Sequence, residues 1–186
     1  MKGVVFTEFL QLVEQEFGYE VVDQIIQDSD LPNDGAYTAV GTYDHNELLG
    51  LVTNLSQSVS IPVPDLVKTF GSFLFARLAE GYPSLLDQAT NSYQLLTNLH
   101  SYIHVEVRKL YPDAELPDFE HSVRDENQLE MIYRSTRPFA DLAEGLISAC
   151  TAFYGEDVAL VRQDLDGHDG TSAKFQLTYK NGIPAA

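Results

Sequence analysis

The sequence has little cysteine, little positive charge and no long apolar run. Its single cysteine, Cys150, excludes an internal disulfide and a cysteine-rich metal cage, and it fits a reducing compartment. The sequence has only 11 Lys and Arg residues but 28 Asp and Glu residues, so the net charge is −17. This negative charge argues against nucleic acid and anionic membranes as partners. No apolar run approaches the roughly 20 residues that cross a bilayer, and the amino terminus lacks the features of a secretory signal. We therefore expect a cytoplasmic protein.

The apolar content is sufficient for a folded core. The chain has 186 residues, of which 44% are hydrophobic, and this size is typical of one domain. No linker or repeat divides the sequence, so residues 1–186 are predicted to form a single domain.

The first two thirds of the sequence are predicted to be helical, because apolar residues recur every three or four positions. A break between two short helices is expected near Gly18. Asp44 is placed to cap the next helix, and Pro62 and Pro64 mark the start of another. The segment 92–110 keeps apolar residues on one face and is predicted to be the longest helix.

The periodicity changes to two after residue 119, which predicts strands. A further helix is expected from Pro138 to near Gly155. A closing hairpin is expected around residues 166–170, and the acidic residues there lack the final glutamate of a calcium loop. Helices followed by antiparallel strands with one inserted helix indicate the α+β class.

His100 and His104 lie four positions apart on the predicted long helix, so both rings are expected on one side of it. Zinc hydrolase chemistry is disfavoured because Ser101 stands where such enzymes carry a glutamate. Two alternatives remain from spacing alone. In the first, one of the histidines ligates a haem iron. In the second, which is the more common case, the histidine is half-buried and hydrogen-bonded to a carbonyl group.

A second group of polar side chains follows in the predicted strand region. If the segment is extended, Tyr133, Ser135 and Arg137 share one face and offer two hydroxyls and a guanidinium. Such a set could bind the two propionates of haem, because arginine holds carboxylates through paired charge-assisted hydrogen bonds. A solvated strand face ending in an arginine is the alternative.

With these residues, the sequence resembles the haem nitric oxide/oxygen binding (H-NOX) family, which is related to the haem region of soluble guanylate cyclase. The Tyr-x-Ser-x-Arg motif downstream of a helical histidine is its specific signature. The resemblance covers essentially the whole chain. Supporting segments lie at residues 1–6, 35–43, 70–71, 103–107, 110–112, 116–117 and 143–146.

The resemblance implies a fold and a cofactor. A helical amino-terminal part packs on an antiparallel sheet with an inserted helix, and haem b (iron protoporphyrin IX) lies between them. His104 is implied as the proximal iron ligand, and Tyr133, Ser135 and Arg137 as the propionate clamp. Pro117 matches the proline that presses on the porphyrin in this family.

The resemblance also implies gas selectivity. Oxygen-binding members carry a tyrosine on the open side of the iron, where this sequence has Leu142. The other matched distal residues, Val5, Phe9 and Leu74, are also apolar. We therefore expect binding of NO and CO without stable binding of O2, because a hydrogen-bond donor is needed beside bound oxygen.

Signalling is expected to pass through weakening or release of the bond between His104 and iron when NO binds. The sequence contains no recognisable output segment, so a separate partner is expected. Relatives commonly pair with a histidine kinase or with an enzyme that makes or degrades cyclic-di-GMP.

Two other function classes are weighed. One is a haem-free adaptor domain of the same fold that signals by protein contacts alone. The other is a haem peroxidase or NO dioxygenase, but these need polar distal groups that Leu142 and its neighbours do not supply. We therefore do not expect an enzyme. Cys150 has no co-ligands for zinc and is expected to be a small core residue.

Overall fold

The computed structural model describes residues 1–165, 167 and 169–184. Helices occupy the chain up to residue 110, and an antiparallel sheet with one inserted helix follows. The helices are α1 (Gly3–Phe17), α2 (Tyr19–Gln27), α3 (His45–Val59), α4 (Val63–Gly81), α5 (Ser92–Thr97), α6 (His104–Leu110) and α7 (Ala140–Phe153). The strands are β1 (Asp118–Val123), β2 (Gln128–Arg134), β3 (Val158–Asp164) and β4 (Ser172–Tyr179). The predicted α+β class is confirmed.

Local signals in the sequence set several helix boundaries where they were predicted. Gly18 separates α1 from α2 with a φ of 88°, a value that favours glycine. Asp44 caps α3 by accepting a hydrogen bond from the Asn46 amide at 2.9 Å, and the Glu47 side chain accepts one from the Asp44 amide in return. These reciprocal bonds satisfy amides that the first helical turn would otherwise leave unpaired.

The sheet has the order β1-β2-β4-β3, and each neighbouring pair is antiparallel. Alternation along β2 buries Leu129, Met131 and Tyr133, as its period of two predicts. The predicted β3–β4 hairpin is present. Of its expected turn, Asp166 and His168 lie outside the described residues.

The prediction of one long helix over residues 92–110 is wrong. Between α5 and α6 lies a π-helical turn (Leu99–Ile103), in which each turn holds an additional residue. The Asn98 carbonyl accepts hydrogen bonds from both the Tyr102 amide at 2.9 Å and the Ile103 amide at 3.3 Å. The longer helix is α4, with 19 residues. Apolar spacing does not detect such a turn, because positions three to five apart stay on one broad face.

Two hydrophobic cores lie on either side of the α4–α7 contact. One is formed by α1 to α4, and the other by the sheet with α5 and α7. Gly71 of α4 and Gly145 of α7 allow the two helices to meet closely. A methyl group on Gly71 would lie 2.3 Å from the Leu142 carbonyl oxygen, and one on Gly145 would lie 2.0 Å from the Lys68 carbonyl oxygen.

Across the described ranges, no single helix is long and apolar enough to cross a membrane. The helices α3 and α4 reach that length and apolar content only when they are combined across a 113° bend. Leu48, Leu51 and Leu55 of α3 belong to the helical core.

Candidate functional site

A cavity of about 410 Å³ lies where the two cores meet. Its walls come from α1, α4, α7, the π turn, α6, the end of β2 and the segment 111–117. The cavity brings together most of the predicted site residues. Those that line it are Val5, Leu74, His104, Pro117, Tyr133, Ser135, Arg137 and Leu142.

His104 begins α6 and is buried in the cavity wall, with 7% of its surface exposed. Among the residues that the structure describes, its Nδ1 atom has no hydrogen-bond partner, and the ring lies beside that of Phe119, with centroids 6.3 Å apart. Burial, followed by the charge of Arg108, lowers the pKa of His104 to about 4. The ring is therefore neutral at pH 7 and keeps a lone pair for a metal.

His100 has different surroundings. Its side chain is 65% exposed, and its Nδ1 lies 3.5 Å from the Asp118 carboxylate. Phe119, the residue after Asp118, lies beside the His104 ring, so both rings lie near the start of β1 and differ in burial. Of the two candidates, His104 is the one that lines the cavity.

A turn after β2 carries part of the Tyr-x-Ser-x-Arg motif. All three motif residues, Tyr133, Ser135 and Arg137, line the cavity. The condition of an extended segment holds only as far as Arg134, where β2 ends. The Ser135 amide still donates to the Thr171 carbonyl at 2.8 Å. Beyond it, the Arg137 amide donates to Ser135 Oγ at 3.0 Å, and the Tyr133 hydroxyl donates to the Arg137 carbonyl at 3.4 Å. The motif therefore fixes its own backbone at the cavity edge.

The Arg137 guanidinium binds Glu115 of the segment 111–117. Nη1 donates to the Glu115 main-chain carbonyl at 3.0 Å, and Nη2 forms an ion pair with the Glu115 carboxylate. Nothing in the sequence signals Glu115, which is one of 28 acidic residues and lies 22 positions from Arg137.

Part of the cavity wall is apolar. Val5, Leu74 and Leu142 line it, and their side chains have no hydrogen-bond donor. The structure places Phe9 elsewhere. Phe9 is 1% exposed and packs edge-on against Phe70 in the helical core, with ring centroids 5.3 Å apart.

Cys150 is buried at another part of the cavity wall. Burial raises the pKa of its thiol, so the sulfur stays protonated and is a poor metal ligand. Within the part of the chain that the structure describes, no group of three His, Cys, Asp or Glu side chains could hold a metal ion by itself.

The donor set of the cavity fits haem. A neutral, unpaired imidazole suits the iron, a guanidinium with two hydroxyls suits the propionates, and the apolar walls suit the porphyrin. A family model described as haem-NO-binding matches residues 2–162 of the chain. The chain belongs to this family, whose members are called H-NOX proteins. H-NOX domains are haem-binding gas-sensor domains.

Solved H-NOX structures share the fold. The unliganded Fe(II) H-NOX protein from K. algicida is 38% identical over 100% of both chains, with a TM-score of 0.92. An H-NOX protein from S. oneidensis in the Fe(II)NO state is 26% identical over 97% of this chain and 100% of that one, with a TM-score of 0.90. The IWP-051-bound H-NOX from Shewanella woodyi in the Fe(II)CO state is 42% identical over 100% of this chain and 97% of that one, with a TM-score of 0.83.

Proposed function

We propose that this chain senses NO, and also binds CO, at a ferrous haem b, that it excludes O2, and that it signals to a separate protein. The observation that carries the proposal is His104, a buried and neutral imidazole in the wall of an apolar cavity, whose Nδ1 has no hydrogen-bond partner among the described residues. The solved relatives in Fe(II)NO and Fe(II)CO states support the choice of gases. We further propose that residues 1–186 act as one unit, because both cores contribute to the cavity wall.

Each part of the cavity has a role in holding the cofactor. Bound haem supplies an iron with an open coordination position for a diatomic gas. His104 would hold the iron by donating its lone pair to it. Arg137 neutralises the propionates, with the hydroxyls of Tyr133 and Ser135 as further hydrogen-bond partners. Pro117 lines the cavity and offers a rigid contact for the ring.

Exclusion of O2 rests on side chains that cannot donate a hydrogen bond. Hydrogen-bond donors near the open iron position favour O2 binding. Leu142, Val5 and Leu74 offer none, whereas the binding of NO and CO depends less on such a donor. The same apolar wall disfavours peroxidase or dioxygenase chemistry, which needs polar groups to handle the oxygen substrate.

His104 connects the cavity to α6, because it is the first residue of that helix and follows the π turn. A gas can shift a protein between two states only by binding them with different affinity. If His104 were attached to the iron in one state and released in the other, the two states would differ in their affinity for the gas. A coupling free energy of about 1–3 kcal/mol between gas binding and partner binding is sufficient for a signal. We propose a histidine kinase or a cyclic-di-GMP enzyme as the partner.

An absorption spectrum of the purified protein tests this function. After haem supplementation and reduction, we expect a Soret band that air does not convert to an oxygen complex. Addition of NO should then give the spectrum of a five-coordinate nitrosyl haem. A colourless protein would instead favour the haem-free adaptor function, and a stable oxygen complex would contradict the proposed selectivity.

A further inference from the structure

We propose that Glu115 is a positioning residue that holds Arg137 ready for the haem propionates. This inference rests on the proposed haem binding. It concerns a contact within the chain that connects the propionate clamp to the segment containing Pro117.

Glu115 restrains the guanidinium at two points. Its main-chain carbonyl accepts from Nη1 at 3.0 Å, and its carboxylate pairs with Nη2. The Arg137 side chain is only 15% exposed, whereas that of Glu115 is 73% exposed. Glu115 therefore reaches the guanidinium from the solvent side and leaves other N–H donors of Arg137 for a second carboxylate.

An arginine that is already held binds a carboxylate at lower entropic cost. A free arginine side chain has many rotamers, and ordering them on binding reduces affinity. The Arg137 main chain is fixed by Ser135, but this bond does not orient the guanidinium. Glu115 supplies the restraint at the far end of the side chain.

The contact also holds the segment 111–117 in place. Asp113 in this segment accepts hydrogen bonds from Lys2 at 3.1 Å and from Thr42 at 2.8 Å. The segment is thus attached to the amino-terminal half through Asp113 and to the sheet through Glu115. Loss of the Glu115 side chain would loosen both Arg137 and the part of the segment next to Pro117.

The test compares haem retention in E115A, E115Q and E120A. Glu120 pairs with Arg134 at 2.9 Å on the neighbouring strands but does not line the cavity, so E120A is a matched control. Haem release is measured by transfer to excess apomyoglobin, and the propionate bending modes are measured by resonance Raman spectroscopy.

We expect E115A to release haem about tenfold faster than the wild type, equivalent to about 1.4 kcal/mol, and to shift the propionate modes. E115Q keeps an acceptor oxygen and should stay within about threefold of the wild type, and E120A should match the wild type.

Different failures have different meanings. Equal release rates in E115A and E120A, with faster release in R137A, would overturn the role of Glu115 and leave haem binding intact. Slower release in E115A would also overturn it, because Glu115 would then compete with the propionates. A wild-type protein that takes up no haem would overturn both this inference and the proposed function.

Discussion

His104 and His100 show how strongly the surroundings of a residue determine its chemistry. They are the same residue type, four positions apart, yet only His104 is buried. Burial lowers the pKa of His104 because the charged ring loses its hydration. The neutral ring can act as a ligand, while His100 faces solvent and the Asp118 carboxylate.

Replacing His104 by glycine should abolish normal haem ligation and remove the ferrous Soret band of the wild type. Added imidazole should restore it, because the cavity left by the side chain can admit the free ligand. The H100G variant is the control and should keep the wild-type spectrum. An unchanged ferrous spectrum in H104G would contradict the assignment of His104 as the iron ligand.

Replacing Leu142 by tyrosine should create measurable O2 affinity by adding a donor to the apolar wall. The L142F variant has a ring of similar size without the hydroxyl, so it should bind no O2. Spectra of the reduced variants in air measure the difference. Equal O2 binding by both variants would mean that the size of the side chain, and not hydrogen bonding, controls selectivity.

At the scale of elements, the closest contact is the crossing of α4 and α7. Gly71 and Gly145 face backbone atoms of the opposite helix, which cannot move aside as a flexible side chain can. The crossing also carries Leu142, so its geometry influences the apolar wall of the cavity.

Substituting alanine for Gly71 or Gly145 should lower the free energy of unfolding by about 1–3 kcal/mol, because the helices must separate. Within the described part of the chain, Gly50 in α3 has no atom within 4 Å of an added methyl group. The G50A variant should therefore raise stability by about 0.5–1 kcal/mol through helix propensity. Urea unfolding measures all three variants, and a stabilised G71A would contradict the close packing of α4 on α7.

Element boundaries with local causes could be predicted from the sequence, and long-range contacts could not. The Gly18 break and the Asp44 cap depend on residues next to them. The π turn depends on the competition between two hydrogen-bond patterns at Asn98, which apolar spacing does not reveal.

The candidate site shows the same division. Tyr133, Ser135 and Arg137 share a motif, so the sequence predicts their proximity. The Arg137–Glu115 pair depends on the antiparallel pairing of β1 with β2, which sets Asp118 opposite Arg134 and so brings the segments before β1 and after β2 together. Phe9 has the same apolar character as Val5 and Leu74, but it packs on Phe70, and residue type does not distinguish these positions.

At the scale of the whole molecule, acidic charge is in excess over basic charge. Most of the basic side chains lie within 4.0 Å of a carboxylate, with Arg162 contacting three of them. Arg108 has no such partner among the described residues. Because acidic residues outnumber basic ones by 28 to 11, the unpaired carboxylates repel one another.

Added salt should therefore stabilise the protein. Raising NaCl from about 0.01 M to about 0.1 M shortens the Debye length from about 30 Å to about 10 Å, and we expect the free energy of unfolding to rise on the order of 1 kcal/mol. The E14Q/E16Q variant changes the net charge from −17 to −15 and should depend less on salt. A fall in stability with salt would mean that the ion pairs outweigh the repulsion.

The π turn has a consequence for changes in chain length. It holds one residue more than an α-helical turn does, directly before His104. Deleting one residue from this turn would let α5 and α6 merge into a regular helix. Because a π turn closes with i→i+5 hydrogen bonds and an α turn with i→i+4 bonds, five residues of the first complete about the same rotation as four of the second, so the side chains on either side of the deletion would keep their relative directions. The imidazole at the start of α6 should therefore keep its direction towards the cavity, so this turn is a place where the chain could lose one residue without turning the ring away.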